Sequence, residues 1–296
     1  MIEPQPFFSI IMPTYNRANF IPRAIHSVLS QKFISWELIV VDDASTDNTK
    51  DICTSYNDIR IEYIRQQHSE RSAARNNGID RAKGAYICFL DDDDYYLDNH
   101  LSSFYERIKQ DNFRKSLYYC DRLEDYEGKL RDVPLLIYPA RNNVEYVLLN
   151  LINVPQTSIP CEYLDTVRFS TSIRIGEDRD FLAQLASKYP IVHIPVRSHV
   201  VGIHPDRSVS IDNYLSYKEN LETCRYLIKT YRSFLSRDAK KRIQAQSYRN
   251  MMLHQMTTRN HFMALYWLIR LCIQQSGCLN ITDIKIWYSS LSSSRS

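Results

Sequence analysis

Three short stretches of the chain are apolar at almost every position rather than at every second one: Phe8–Met12, Glu37–Val41 and Tyr86–Leu90. Such runs predict strands covered on both faces. Each ends in polar residues: Pro13-Thr14-Tyr15-Asn16, Asp42-Asp43-Ala44-Ser45 and Asp91-Asp92-Asp93-Asp94. Between the first two, Ile21, Ala24, Ile25, Val28 and Leu29 recur at the spacing of one helical face. Asn19 is the expected N-cap, and Pro22 falls in the first turn, where its missing N–H costs little. Strand–helix–strand order implies right-handed crossovers and a parallel sheet. The C-terminal ends of parallel strands share one edge, which is where ligands bind. Thr14–Asn16, Asp42/Asp43 and Asp91–Asp94 are therefore expected to converge.

The acidic run is the most informative of the three. Two like charges about 4 Å apart repel by roughly 1 kcal/mol in water and by more in a cleft. Four adjacent carboxylates at a strand end suit a hard divalent cation that also holds phosphates. The competing reading is an acidic turn capping a helix that starts near Leu97, with Asp94 a solvated cap.

Composition narrows the classes. The chain has 296 residues, is 44% hydrophobic and carries a net charge of +3. That is enough to bury one large domain plus an appendage, and too balanced for a nucleic-acid signature. Seven cysteines (53, 88, 120, 161, 224, 272, 278) show no CxxC pair, which suggests reduced thiols in the cytosol. The six glycines contain neither a GxGxxG fingerprint nor a GxxxxGK[ST] loop. A bound nucleotide would need another way to neutralise its phosphates. No signal peptide is expected, and no apolar stretch reaches membrane-spanning length.

Four segments together resemble family 2 glycosyltransferases: Ser9–Asn16, Glu37–Asp47, Ala74-Arg-Asn-Asn-Gly-Ile79 and Gly84–Asp94. The resemblance is tight over 7–125, looser over 126–210 and compositional beyond. It implies a GT-A fold: an α/β architecture with a mostly parallel central sheet flanked by helices, and here a C-terminal helical appendage. The expected division is a catalytic domain at 1–210 and a helical region at 211–296. Within the first, 7–125 is the nucleotide-sugar half and 126–210 the acceptor half. The family implies a nucleoside-diphosphate sugar donor, with UDP expected, a Mg²⁺ or Mn²⁺ ion, and inversion at the anomeric carbon.

Roles carry over residue by residue. Pro13, Thr14 and Tyr15 match the loop that packs on the nucleobase. Asp43, beside Asp42, matches a carboxylate that accepts from base or ribose. Arg75 matches a basic residue near base and phosphates, against the alternative of a surface arginine. Asp91-Asp92-Asp93 holds the DxD element, with Asp93 toward the metal and Asp92 toward the ribose. Ile175–Phe181 resembles the Glu-Asp element that supplies the general base, with Asp178 assigned and Glu177 and Asp180 as rivals. An inverting transfer needs one carboxylate to take the acceptor's proton, and a cation to neutralise the departing diphosphate. The acids could instead only stabilise a helix N-terminus. His204 is a second metal-ligand candidate or an ordinary loop histidine, and Arg207 could hold phosphate. His193 and His199 read as structural.

From Tyr214 to about Gln275 the pattern is helical, with breaks near Ser236 and Thr257. Between Arg225 and Arg270, ten Lys and Arg stand against one acid, Asp238, beside an apolar run at Phe262–Ile269. This segment either packs as an appendage with a basic outer face or attaches to an anionic membrane. Leu291–Ser296 is expected to be disordered. The expected function is inverting transfer of a sugar to a glycan or lipid-linked acceptor in surface polysaccharide synthesis. Its place is then the cytoplasm, or the inner face of the cell membrane as a peripheral protein, with no nucleic-acid partner. A sugar nucleotidyltransferase and a non-catalytic sugar-nucleotide-binding module are the alternatives. Acceptor choice is expected to reside in Asp125–Ser172.

Overall fold

The computed structural model describes residues 5–133, 137–204, 214–258 and 260–274. The first part of the chain alternates strand and helix: β1 Phe8–Thr14, α1 Ile21–Leu29, β2 Trp36–Asp42, α2 Thr49–Ser55, β3 Ile61–Arg65, α3 Glu70–Arg81 and β4 Tyr86–Phe89. A more irregular part follows: β5 Tyr95–Tyr96, α4 His100–Gln110, β6 Leu117–Tyr126, β7 Lys129–Asp132, α5 Asn143–Asn150, β8 Thr157–Pro160, α6 Glu177–Lys188 and β9 Ile191–Ile203. Three helices close the described chain: α7 Tyr214–Thr230, α8 Arg237–Thr257 and α9 His261–Gln274.

The sheet runs β3-β2-β1-β4-β8-β6-β9-β5, with β7 paired to β6. Its first four strands are parallel. The second half is mixed: β8 is antiparallel to both neighbours, whereas β6 and β9 are parallel. Every residue of β1 and β4 is buried, as their apolar runs require. Ile21, Ala24, Ile25 and Val28 of α1 are buried in the core cluster that includes the sheet's Ile10, Met12 and Val40. The expected cap of α1 is corrected by one residue. Phe20 occupies the cap position and makes no side-chain cap. The Arg17 carbonyl accepts from the Phe20 and Ile21 amides instead. Gly78 lets α3 settle on β1, since a Cβ there would lie 2.4 Å from Ile11 Cγ2.

The chain divides into two compact units. The first comprises the residues up to Ile137 and Leu151–His204, and holds the whole sheet. The second gathers Tyr138–Asn150, which includes α5, and the described residues after His204. Its core is formed by Leu221, Tyr248, Met251, Met252, Trp267 and Leu271 from α7, α8 and α9. The breaks expected near Ser236 and Thr257 occur there. Ser236 caps α8 by accepting from the Ala239 amide, and Glu145 of α5 accepts from the Ser236 amide and hydroxyl. The expected boundary at residue 210 and the expected disorder at Leu291–Ser296 lie outside the described residues.

Candidate active site

The C-terminal edge of the parallel half carries the loops after β1, β2 and β4. Thr14 pairs in register with Asp42, and the Asp43 amide donates to the Thr14 carbonyl. Pro13 and Thr14 are buried, while Tyr15 is exposed and packs against the His68 ring at 4.6 Å. Asp42 is consumed by the fold: its carboxylate accepts from the Ser45 amide and the Tyr63 hydroxyl. Asp43 accepts from the Ser69 and Glu70 amides and from Gln66 Nε2, with His68 Nδ1 at 2.9 Å. Three non-glycine residues along this edge hold left-handed backbone: Asn16 (φ 53°), Ala44 (φ 70°) and Glu70 (φ 71°). Backbone strain of this kind persists where surrounding contacts fix it, commonly at ligand sites.

The four aspartates after β4 have four separate fates. Asp91 is paired with Arg75 at 2.8 Å. Burial works against the Asp91 charge, and Arg75 outweighs it, leaving the carboxyl below the usual range. Asp92 is pushed well above that range by burial and by Asp93, with Arg17 3.9 Å away. Asp93 faces His204, Nε2 to Oδ2 at 3.1 Å, and Arg17 at 4.0 Å. Asp94 is not a solvated cap. It is buried, paired with His199 at 3.0 Å and accepting from the Gly202 amide. The turn thus closes onto β9 at its inner end. Gly202 permits this, since a Cβ there would stand 2.4 Å from the Asp93 carbonyl oxygen. His199 is structural, as expected.

The expected base element opens α6. Gly176 precedes it with φ 81°, a conformation that a side chain would strain. Asp178 is 23% exposed and accepts from Arg75 at 2.9 Å. Glu177 is buried between Arg71 at 2.8 Å and Arg75 at 3.2 Å, and burial together with Asp178 raises its pKa. Asp180 is buried and accepts from Gln184 Nε2. Of the three acids, Asp178 has the most accessible side chain. Arg75 is no surface arginine. At 2% exposure it binds Asp91, Glu177 and Asp178, and its guanidinium lies 5.2 Å from the Phe169 ring. Phe169 stacks on Phe181 at 3.8 Å, which floors the pair of motifs.

Arg17, Arg71 and His68 complete the surroundings and were not singled out from sequence. For Arg71 a signal existed, its i,i+4 spacing from Arg75 on one helical face. Arg17 follows the Thr-Tyr-Asn turn directly.

Among the described residues, no three or more His, Cys, Asp or Glu side chains form a metal-holding group. Asp93 and His204 offer two donors, one hard oxygen and one imidazole nitrogen. His204 is stacked on Phe20 at 4.2 Å, and its buried Nδ1 has no hydrogen-bond partner among the described residues. Two such donors fit a divalent cation whose remaining ligands are phosphate oxygens and water. Arg207 lies outside the described residues.

Comparison with known proteins shows the family. The family described as Glycosyl transferase family 2 matches residues 9–158. A protein of Escherichia coli named for glycosyl transfer in colanic acid biosynthesis, WcaA, is 33% identical over 189 residues, 62% of this chain and 67% of that one. The UDP-Glc:alpha-D-GlcNAc-diphosphoundecaprenol beta-1,3-glucosyltransferase WfgD of Escherichia coli is 43% identical over 94 residues, 31% of this chain and 37% of that one. The alignments span about two thirds of the first relative and well under half of the second. The structure of S. aureus TarS 1-349 in complex with UDP-GlcNAc is similar in fold, with a TM-score of 0.63 at 19% identity over 96% of this chain and 79% of that chain.

Proposed function

The chain belongs to glycosyl transferase family 2 and has its GT-A fold, and from that premise we propose that it transfers a sugar from a nucleoside-diphosphate donor, with UDP as the nucleotide, to a glycan or lipid-linked acceptor. The observation that carries the reading is Arg75. One buried guanidinium gathers the first aspartate of the strand-end run and the Glu-Asp pair of α6, which are 16, 102 and 103 positions away. Three carboxylates from two motifs on one cation tie the strand-end run to the start of α6, which supports reading the two as donor site and base.

In this reading the nucleobase and ribose lie against Pro13, Thr14, Tyr15 and Asp43, with Asp92 toward the sugar-nucleotide. Asp93 and His204 would hold Mn²⁺ or Mg²⁺. When bound, the ion would neutralise the diphosphate as it leaves. Asp178 takes the proton from the acceptor hydroxyl while that oxygen forms a bond to C1 on the face opposite the diphosphate. The C1–O bond to the diphosphate breaks, and configuration inverts. Glu177 and Asp180 are less suited, because both are buried and engaged by the fold. A lipid-linked acceptor, as named for the undecaprenol relative, would place the work at the inner face of a membrane.

The test is release of free nucleoside diphosphate from a panel of nucleotide sugars with Mn²⁺. Asp178→Asn should lower transfer by about 10²-fold or more while donor binding survives, the scale of general-base loss. If Asp178→Asn is fully active and Glu177→Gln or Asp180→Asn is not, the base is assigned to the wrong acid. No turnover with any nucleotide sugar would favour a binding module.

A further inference from the structure

α9 is apolar on two opposite sides. Ala264, Trp267, Leu268 and Leu271 are buried in the core of the second unit. Phe262, Leu265, Tyr266 and Ile269 recur at i, i+3, i+4 and i+7 on the other side, and all four are exposed, Phe262 at 83% and Ile269 at 50%. A surface helix ordinarily presents polar residues there. Fourteen residues span about 21 Å, well short of a ~30 Å hydrocarbon core. No helix among the described residues is long and apolar enough to cross a membrane. A helix of this kind suits the plane of a membrane interface, with its outer side entering the headgroup–acyl boundary.

The charge of the same unit points to the partner. Its described residues carry eleven Lys and Arg against four acids. Arg270 is exposed next to the apolar stripe. Its Nε donates to the Tyr266 hydroxyl at 3.2 Å, and its guanidinium lies 5.4 Å from that ring. A Tyr–Arg pair places apolar body and polar tip at headgroup depth. Pairing two copies stripe to stripe would instead bring two positive units together, and like charge opposes that.

We propose that α9 docks this protein on an anionic lipid bilayer, with Phe262, Leu265, Tyr266 and Ile269 entering the headgroup boundary and the unit's Lys and Arg drawing the lipid phosphates. The proposal deepens the lipid-linked reading of the acceptor and rests on it only for its purpose. Binding to lipid is measured without any nucleotide sugar, so it can fail while the transferase reading stands, and the reverse.

The experiment is co-sedimentation of the full chain with vesicles of phosphatidylcholine alone or mixed with phosphatidylglycerol, at low and high salt. Wild-type protein should bind only the mixed vesicles and release at high salt. Phe262→Ser/Ile269→Ser should lower partitioning about tenfold or more. Because both side chains are exposed, that variant should keep the wild-type melting temperature and UDP binding. Three results would overturn the proposal. One is absence of binding by wild type at low salt, and another is equal binding by the double variant. The third is protection of Phe262 and Ile269 from hydroxyl-radical labelling in the lipid-free protein. A wild-type dimer that the variant dissolves would assign that protection to a second copy. Protection in a monomer would assign it to residues beyond Gln274.

Discussion

Two residues at β9 can be tested singly, one within the strand and one packed against it. Gly202 is one. An added Cβ would meet the Asp93 carbonyl at 2.4 Å and Arg23 Nη2 at 2.6 Å, and the first of these is backbone. The turn that carries Asp93 must therefore shift. Gly202→Ala should cost about 1–3 kcal/mol and weaken UDP binding in a calorimetric titration. Wild-type affinity and melting temperature together would show that the turn tolerates the contact. His100 is the other. It is buried, stacked on Tyr96 at 3.6 Å, with Nδ1 2.9 Å from the Ser198 hydroxyl. Burial, and then the neighbouring His199, holds its pKa well below the ordinary value. The unfolded chain takes up that proton as pH falls through about 6.5, while the folded chain stays neutral. The stability it contributes is therefore complete above that pH and is lost below it, at about 1.4 kcal/mol per pH unit until the folded pKa is reached. Urea unfolding at a series of pH values should show this slope, and His100→Gln should reduce it by about that amount. An unchanged slope would mean that His100 does not titrate differently in the two states.

At this scale the sequence identified side chains by type better than by partner. Asp91, Asp178 and Arg75 were each legible from a short motif. That Arg75 is the link between the other two was not, because the pairings join residues 16 and 103 positions apart. The place of Asp94 was left open for the same reason. Its partner His199 is 105 positions away, and a run of four aspartates looks solvated when that partner is out of sight.

Among the elements, three of the four parallel strands were legible because β1, β2 and β4 are apolar almost throughout, whereas the half-buried β3 was not. Nor was the mixed half. β6 turns polar after Cys120, and β9 contains Pro195 and Arg197. Their pairing also slips in register at Cys120/Asp121 and again at Asp121/Arg122. No local period reports such a bulge. α8 shows the opposite case: a break was read near Ser236, and the cap that Ser236 makes there has a second support, Glu145, from a distant element. Ser236→Ala should cost about 1 kcal/mol as a lost cap. Glu145→Ala should cost more, about 1–3 kcal/mol, because it strips the acceptor from the Ser236 amide and hydroxyl together. Thermal unfolding of the two variants checks the order, and a milder Glu145→Ala would demote the second support.

For the molecule as a whole, ligand binding should report through global stability. UDP should raise the melting temperature markedly more with Mn²⁺ than with EDTA. At 100-fold excess over Kd the gain is about 2.7 kcal/mol. Asp93→Ala should erase the difference between the two conditions. Equal shifts with and without metal in the wild type would remove Asp93 and His204 from the role proposed for them.

The assignment of Tyr138–Asn150 to the second unit also has a consequence in time. A ribosome delivers the chain from one end at about 5–20 residues per second. Glu145 emerges 91 residues before the Ser236 it will hold, so α5 waits roughly 5–20 s for its partners. Through that interval Val144, Val147 and Leu148, all buried in the finished protein, have no native partner from α8. The strands on either side of α5 are meanwhile free to pair. The nascent sheet must therefore form around an apolar segment that belongs to the second unit.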